Sequence, residues 1–268
     1  VEVKVTNPER TIMSVLELHT STPHKFSGFS HSYEDSSYVV VGVPYDRTST
    51  YRAGSRFGPQ AIREASSNIE TFSLRSNLDV EDIKIFDAGD LHITGDAATT
   101  LKRLESVSGE ILSSGRIPIV LGGEHTITYG VVRAMSTNTA IVDFDAHMDL
   151  REGYMGEHFS HASVMRRISE YLGTDKVFEF GIRAVSKEEL KFASAENLWY
   201  VSCIELGRIG IKQAVANMEE KLASFREVYL TIDIDVLDPA YAPGVGNPEG
   251  DGMDPHSLIE AACKICGR

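Results

Sequence analysis

The chain has 268 residues, is 42% hydrophobic and carries a formal net charge of −13. That is enough apolar material for one sizeable core with no linker to divide it, and so acidic a balance excludes the basic surface that nucleic-acid binding needs. No apolar run is long enough to span a bilayer and no charged-then-apolar leader opens the chain, so a cytoplasmic protein without membrane partners is expected.

In chain order, apolar runs read as strands at Tyr38 to Val43, Ile83 to Asp87, Ile117 to Leu121, Ala140 to Phe144, Val177 to Gly181, Leu198 to Val201 and Val228 to Ile234. Helical patterns lie between them. They cover Asp96 to Ser114, with Asp96 as N-cap behind Gly95, then Thr126 to Ala134, His161 to Leu172, Ile211 to Ser224 and about Asp254 to Cys266. This alternation predicts an α/β fold whose mostly parallel sheet is covered by helices on both faces. The cysteines, Cys203, Cys263 and Cys266, make an odd count without a disulfide framework, as suits a reducing compartment. Cys263-Lys264-Ile265-Cys266 has redox or half-zinc spacing, but it falls late in a helix and not at a helix start.

Three polar clusters follow three of the apolar runs: Gly122-Gly123-Glu124-His125, Asp145-Ala146-His147-Met148-Asp149 and Asp233-Ile234-Asp235. Carboxylates and imidazoles without thiolates suit Mn²⁺, Zn²⁺ or Fe²⁺. Residues two apart on a strand point the same way, so each cluster is expected to converge just past a strand end. Any one of these aspartates could be a helix cap or a loop residue. Together, aspartates so close would repel one another and take up protons unless divalent cations neutralised them. A metal pair at the crevice formed by strand ends is the expectation.

These clusters resemble the signatures of the arginase and agmatinase family, the ureohydrolases. The resemblance extends through Val41-Gly42-Val43-Pro44-Tyr45-Asp46, Arg52-Ala53-Gly54-Ser55-Arg56-Phe57-Gly58-Pro59, Asp87-Ala88-Gly89-Asp90, Gly181-Ile182-Arg183 and Asp238-Pro239-Ala240-Tyr241-Ala242-Pro243-Gly244. It implies a three-layer α/β/α sandwich and two Mn²⁺ per chain. One ion would be held by His125, Asp145, Asp149 and Asp233, the other by His147, Asp145, Asp233 and Asp235, with Asp145 and Asp233 bridging. The implied reaction is hydrolysis of a guanidinium compound, in which a metal-activated water attacks the guanidinium carbon. By the same resemblance, Asp149 carries the proton to the leaving amine and His161 exchanges protons with solvent. The family also implies a homo-oligomer, trimeric or hexameric.

Two departures from arginases bear on the substrate. Ala184 stands where arginases place an aspartate for the α-amino group, and Arg151 to Glu157 stand where they place asparagine and serine for the carboxylate. An amino-acid head group would lack partners there, so agmatine, cleaved to putrescine and urea, is the expected substrate, and Glu152 or Glu157 is expected to meet its far positive charge. Arginase, guanidinobutyrase and formiminoglutamase activities are the alternatives within the family, and an inactive metal-binding relative with a regulatory or binding role is the alternative outside it. The resemblance further implies a strand beyond the last helix, carrying a glutamate that grips the guanidinium. Residues 1–268 are therefore expected to form a single ureohydrolase domain without its C-terminal strand and helix.

Overall fold

Strands and helices alternate through the computed structural model, which describes residues 14–21, 24–28 and 31–267. A short helix α1 (Val15–His19) and strand β1 (Thr20–Ser21) precede β2 (Tyr38–Val43) and α2 (Gly58–Ser66). A hairpin of β3 (Phe72–Ser73) and β4 (Leu78–Asp79) leads to β5 (Ile85–Leu91), α3 (Ala97–Ser113), β6 (Ile117–Gly122) and α4 (Ile127–Val132). There follow β7 (Ala140–Phe144), α5 (Val164–Leu172), β8 (Val177–Ile182), α6 (Lys187–Ala195), β9 (Trp199–Ser202), α7 (Cys203–Ile209), α8 (Ile211–Leu222), β10 (Val228–Ile232) and α9 (Pro255–Cys266).

The ladders form two four-stranded sheets, ordered β1-β5-β2-β6 and β10-β7-β8-β9. Within them every pairing is parallel except that of β1 with β5. Strand alternation sends successive side chains to opposite faces, and both faces are apolar. Val142 and Phe144 of β7 join Phe178 and Phe180 of β8 against α8 and α9, while Ile141 and Val177 pack with Met165 and Ile168 of α5. Under β2, Val39, Val41 and Val43 meet Leu104, Val107 and Ile111 of α3. The result is the expected three-layer α/β/α sandwich. Among the described residues, β6 pairs only with β2 and β10 only with β7, and the apolar side chains of Ile117, Ile119 and Ile232 on these outer strands are exposed.

Two strands depart from their predicted limits for identifiable reasons. Strand β5 begins at Ile85 and runs on through Asp87-Ala88-Gly89-Asp90 to Leu91, because the fully buried Arg63 of α2 ties that stretch down. Its Nε and Nη2 donate to the two carboxylate oxygens of Asp87, each at 2.8 Å, Nη2 also reaches the Gly89 carbonyl at 3.0 Å, and Nη1 pairs with Asp90. A Cβ at Gly42 would collide with the Asp90 carboxylate, so β2 must be bare where this network passes. Strand β10 stops at Ile232, because the side chain of Asp233 accepts from Asp235 N and opens a 3-10 turn over Ile234–Val236.

A buried guanidinium satisfied by two carboxylates is costly to break from one side, since the partners keep their charge and lose their donors. Arg63→Met is expected to destabilise the fold by about 3–5 kcal/mol in chemical denaturation. A loss below about 1 kcal/mol would mean that β5 is held by its ladder alone.

Candidate metal centre

The polar clusters sit in the loops after β6, β7 and β10. The chain crosses from β6 to α4 through Gly123, where a Cβ would lie 2.5 Å or less from the carbonyls of Val43 and Tyr45. That close crossing past the end of β2 leads to His125, whose ring meets Asp145 and Asp149 after β7. After β7, the backbone turns at once: His147 N donates to Asp145 Oδ1 at 2.7 Å, and Asp149 adopts a left-handed φ of 49°, strained for a residue with a Cβ. After β10, Asp235 N donates to Asp233 Oδ1 at 3.1 Å, and Ala146 N donates to Asp235 Oδ1 at 3.2 Å. Convergence is therefore the work of tight loops, and not of strand pleating as the two-residue spacing predicted.

Two ligand groups result: His125, Asp145 and Asp233, and Asp145, His147 and Asp235, with the ligand atoms of each within 4.8 Å of one another. Asp145 belongs to both. Asp233, expected to bridge as well, falls in the first group alone, and Asp149 joins through its Oδ2, 3.1 Å from His125 Nδ1. Asp145 Oδ2 lies 2.9 Å from the same nitrogen, yet it is buried without a hydrogen bond. Oxygen and imidazole donors around an unsatisfied buried carboxylate fit a hard or borderline divalent cation.

Electrostatics point the same way. Burial and the neighbouring Asp145 push Asp149 up to about 7, and burial with Asp235 pushes Asp233 up to about 8. Burial and Asp145 raise Asp235 to about 6. Burial opposes charge on His147, but hydrogen bonds to Asp145 and Asp235 outweigh it and lift this imidazole to about 12. Burial likewise works against Asp145, but the adjacent imidazoles of His125 and His147 hold it well below the usual range. Without metal, the cluster takes up protons to reduce its own repulsion.

Beneath the centre, Thr231, Asp143 and Glu179 are register partners across β10, β7 and β8. Asp143 and Glu179 are fully buried with no hydrogen bond to any carboxylate oxygen, and Asp143 Oδ1 lies 3.5 Å from His125 Nε2. Burial, reinforced by the surrounding aspartates, raises Glu179 well above the usual carboxylate range.

A cavity of about 280 Å³ opens over Asp145, His147, Asp149, Asp233 and Asp235, and its further walls include His161, Thr50, Arg151, Tyr154, Ala184, Val185, Asn247 and Glu249. His161 is on this wall, as expected. Burial, with the positive His147 and His125 nearby, pushes it down to about 4, so the ring is neutral near pH 7 and not poised at its ordinary value. Its Nδ1 is 3.0 Å from Thr48 Oγ1, which donates to Glu124 Oε1 at 2.8 Å. Glu152 and Glu157 do not line the cavity: Glu152 pairs with Arg166 at 2.9 Å, and the backbone of Glu157 pairs with that of Tyr154. The exposed carboxylate on the wall is Glu249, 3.8 Å from His147 Nε2. Its loop is held by Arg183, which donates to the carbonyls of Asp235 at 2.6 Å, Glu249 at 2.8 Å and Gly250 at 3.0 Å. Sequence reasoning passed over Thr48, Glu124 and Glu249; only Glu124, beside His125 in its motif, carried a signal. Cys263 and Cys266 are exposed in the last turn of α9, far along the helix from its start.

The sequence profile of the arginase family matches residues 36–268. An agmatinase of Bacillus anthracis is 39% identical over 240 residues, covering 87% of this chain and 80% of that relative. An N(1)-aminopropylagmatine ureohydrolase of Thermococcus kodakarensis is 38% identical over 231 residues, covering 85% of this chain and 77% of that one. The crystal structure of the agmatine ureohydrolase of Thermoplasma volcanium superposes with a TM-score of 0.83 at 37% identity, covering 87% of this chain and 79% of that one.

The raised carboxylates make a signed prediction for the metal-free protein. Asp149 and Asp233, at about 7 and 8, keep protons that the unfolded chain has already lost. Stability is then fully present below about pH 4, where the unfolded chain is protonated too, and is lost by roughly 1.4 kcal/mol per pH unit for each group until the folded values are passed. The thermal midpoint of the chelated protein is expected to fall between about pH 5 and 8, and added Mn²⁺ should restore more of it at the higher pH. A flat profile would show that the cluster does not carry this repulsion.

Proposed function

The chain belongs to the arginase family and is a hydrolase of guanidino compounds, and we propose that its substrate is agmatine, cleaved with water to putrescine and urea. The observation that carries this reading is the cavity lining. Glu249 exposes a carboxylate to it, and Ala184 with Val185 gives it an apolar wall, a combination that suits a guanidinium on a hydrocarbon chain without an amino-acid head group. The likeness to an agmatinase over most of both chains supports the same substrate. Arg151, on the same cavity wall, favours a second reading, a guanidino acid such as 4-guanidinobutyrate, whose carboxylate it would pair with.

We assign the site two Mn²⁺ ions, one on His125, Asp145, Asp149 and Asp233, the other on Asp145, His147, Asp233 and Asp235. Bound divalent metal supplies Lewis acidity, which makes water a competent nucleophile near neutral pH. The protein's own groups then handle protons. An amine departs poorly from a tetrahedral carbon unless its nitrogen is protonated, and Asp149, a carboxylate raised to about 7 by burial and Asp145 before metal binds, delivers that proton. His161, neutral on the cavity wall, accepts a proton from the site and passes it to solvent.

We further propose that one more parallel strand completes the domain between β6 and β10. Among the described residues β1, β6, β9 and β10 have one partner each, and the support is the exposed isoleucines of β6 and β10, since unpaired edges of this kind are sites of strand addition. Amide exchange along β6 and β10 in the natural protein reads this: protection on both strands is expected, and free exchange on their outer edges would remove the idea.

For the substrate, urea release is compared for agmatine, N(1)-aminopropylagmatine, arginine and 4-guanidinobutyrate with Mn²⁺-loaded protein. Agmatine is expected to exceed arginine and 4-guanidinobutyrate by at least tenfold in kcat/KM. Preference for 4-guanidinobutyrate would favour the role of Arg151. No urea from any of them, with metal bound, would overturn the hydrolytic reading.

A further inference from the structure

Thr48 and Glu124 touch no metal-ligand group through their side chains in the scheme above, yet they meet His161 from a separate part of the chain. We propose that Glu124 and Thr48 act as positioning residues that hold His161 as its Nδ1–H tautomer and leave Nε2 as the ring's proton acceptor. The inference rests on the preceding reading only for what His161 does; the tautomer follows from hydrogen-bond counting.

A threonine hydroxyl has one hydrogen to donate and two lone pairs to accept with. The backbone N–H of His161 donates to Thr48 Oγ1 at 3.1 Å, which uses one lone pair. Glu124 gathers three donors: Thr48 N–H on Oε2 at 2.8 Å, and the hydroxyls of Thr126 and Thr48 on Oε1 at 2.7 and 2.8 Å. Burial raises the Glu124 carboxyl, and the hydrogen bonds from Thr126 and Thr48 oppose that; three donors on its two oxygens match an ionised carboxylate, which only accepts, and in that arrangement the Thr48 hydrogen points at Glu124. What remains on Thr48 Oγ1 is its second lone pair, facing His161 Nδ1 at 3.0 Å. Two lone pairs at that distance repel, so Nδ1 carries the hydrogen.

The other ring nitrogen is then unprotonated, on a side chain that lines the cavity. The edge of Tyr154 meets the ring at 5.8 Å and 88°, so the imidazole is held by its neighbour on the wall as well as by Thr48. The rival arrangement has a protonated Glu124, which would free the Thr48 hydrogen to point at Nδ1 and place the ring proton on Nε2. That ring would present a donor to the cavity.

The two arrangements separate by long-range ¹H–¹⁵N correlation of His161 in protein loaded with diamagnetic Zn²⁺ in place of Mn²⁺. The expected spectrum is a single tautomer protonated at Nδ1, kept in Thr48→Ser and lost to a mixture in Thr48→Val. An Nε2–H tautomer in the wild type, or an unchanged tautomer in Thr48→Val, overturns the relay. With Mn²⁺ bound, Thr48→Val should lower kcat for agmatine by about ten- to a hundredfold with KM within about threefold, and Thr48→Ser should recover most of it. Unchanged kcat in a Thr48→Val protein of wild-type metal content would overturn the positioning role. Wild-type protein that releases no urea would sink the proposed reaction instead, while the spectrum would still decide the tautomer.

Discussion

Mutual repulsion among carboxylates is the constraint on which the rest of this molecule turns. Asp145, Asp149, Asp233 and Asp235 meet within a few ångströms at the ends of β7 and β10, with burial raising three of them. Backbone amides offset a little of the cost, through His147 N on Asp145 and Asp235 N on Asp233. Each such bond contributes only a fraction of what desolvating a carboxylate costs. Asp143 and Glu179, one layer deeper and without hydrogen bonds, answer the same constraint by resisting ionisation, since burial raises both well above the usual carboxylate range. A fold that kept these groups for packing alone would be more stable with amides or alkyl side chains in their place; their presence makes sense where cations bind.

Holding such a cluster together requires rigid loops, and two arginines supply the restraint from opposite sheets. Arg183 leaves the end of β8 and spreads its donors over carbonyls of 235–237 and 249–250. The loop bearing Asp235 and the loop bearing Glu249 are thereby fixed to one guanidinium. Arg63 does the corresponding work beneath β5, where it binds Asp87, Asp90 and the Gly89 carbonyl between them. Both use the planar fork of arginine to satisfy several oxygens at once, which a lysine could not reproduce.

The candidate ligands were legible in the sequence because they fall in three short motifs: Asp145, His147 and Asp149 lie within five residues, Asp233 and Asp235 within three, and His125 ends Gly122-Gly123-Glu124-His125. The apolar runs before them fixed β6, β7 and β10 to within a few residues for the same reason. What was illegible depends on tertiary meeting. Thr48 and Glu124 are 76 residues apart, and nothing in the polar stretch around Thr48 marks it. Glu249 sits in a Gly- and Pro-rich loop where its exposure to the cavity depends on Arg183. Glu152 and Glu157 were plausible by position in the loop, but local pairing with Arg166 and a backbone turn at Tyr154 took them out of the cavity. The left-handed turn at Asp149 was likewise invisible, because periodicity assumes that a strand continues.

Charge balance links the centre to the kind of molecule it admits. With the two ions proposed for the site, its four aspartates would offset the cations and leave the loaded centre close to neutral. What decides the sign of the potential above it is then the surrounding shell. Burial takes Asp143 out of that balance by raising it well above the usual carboxylate range, and what stands beside the cavity are the exposed oxygens of Glu249. His161, kept neutral by burial, adds no positive charge to oppose them. Among the described residues Arg151 is the arginine on the wall, and its guanidinium stacks over Tyr154 at 5.2 Å and lies 3.9 Å from Glu189, which draws part of its field away from the opening. A guanidinium cation would therefore approach the proposed metal pair without meeting net repulsion, and a neutral His161 serves that approach as well as the role proposed for it.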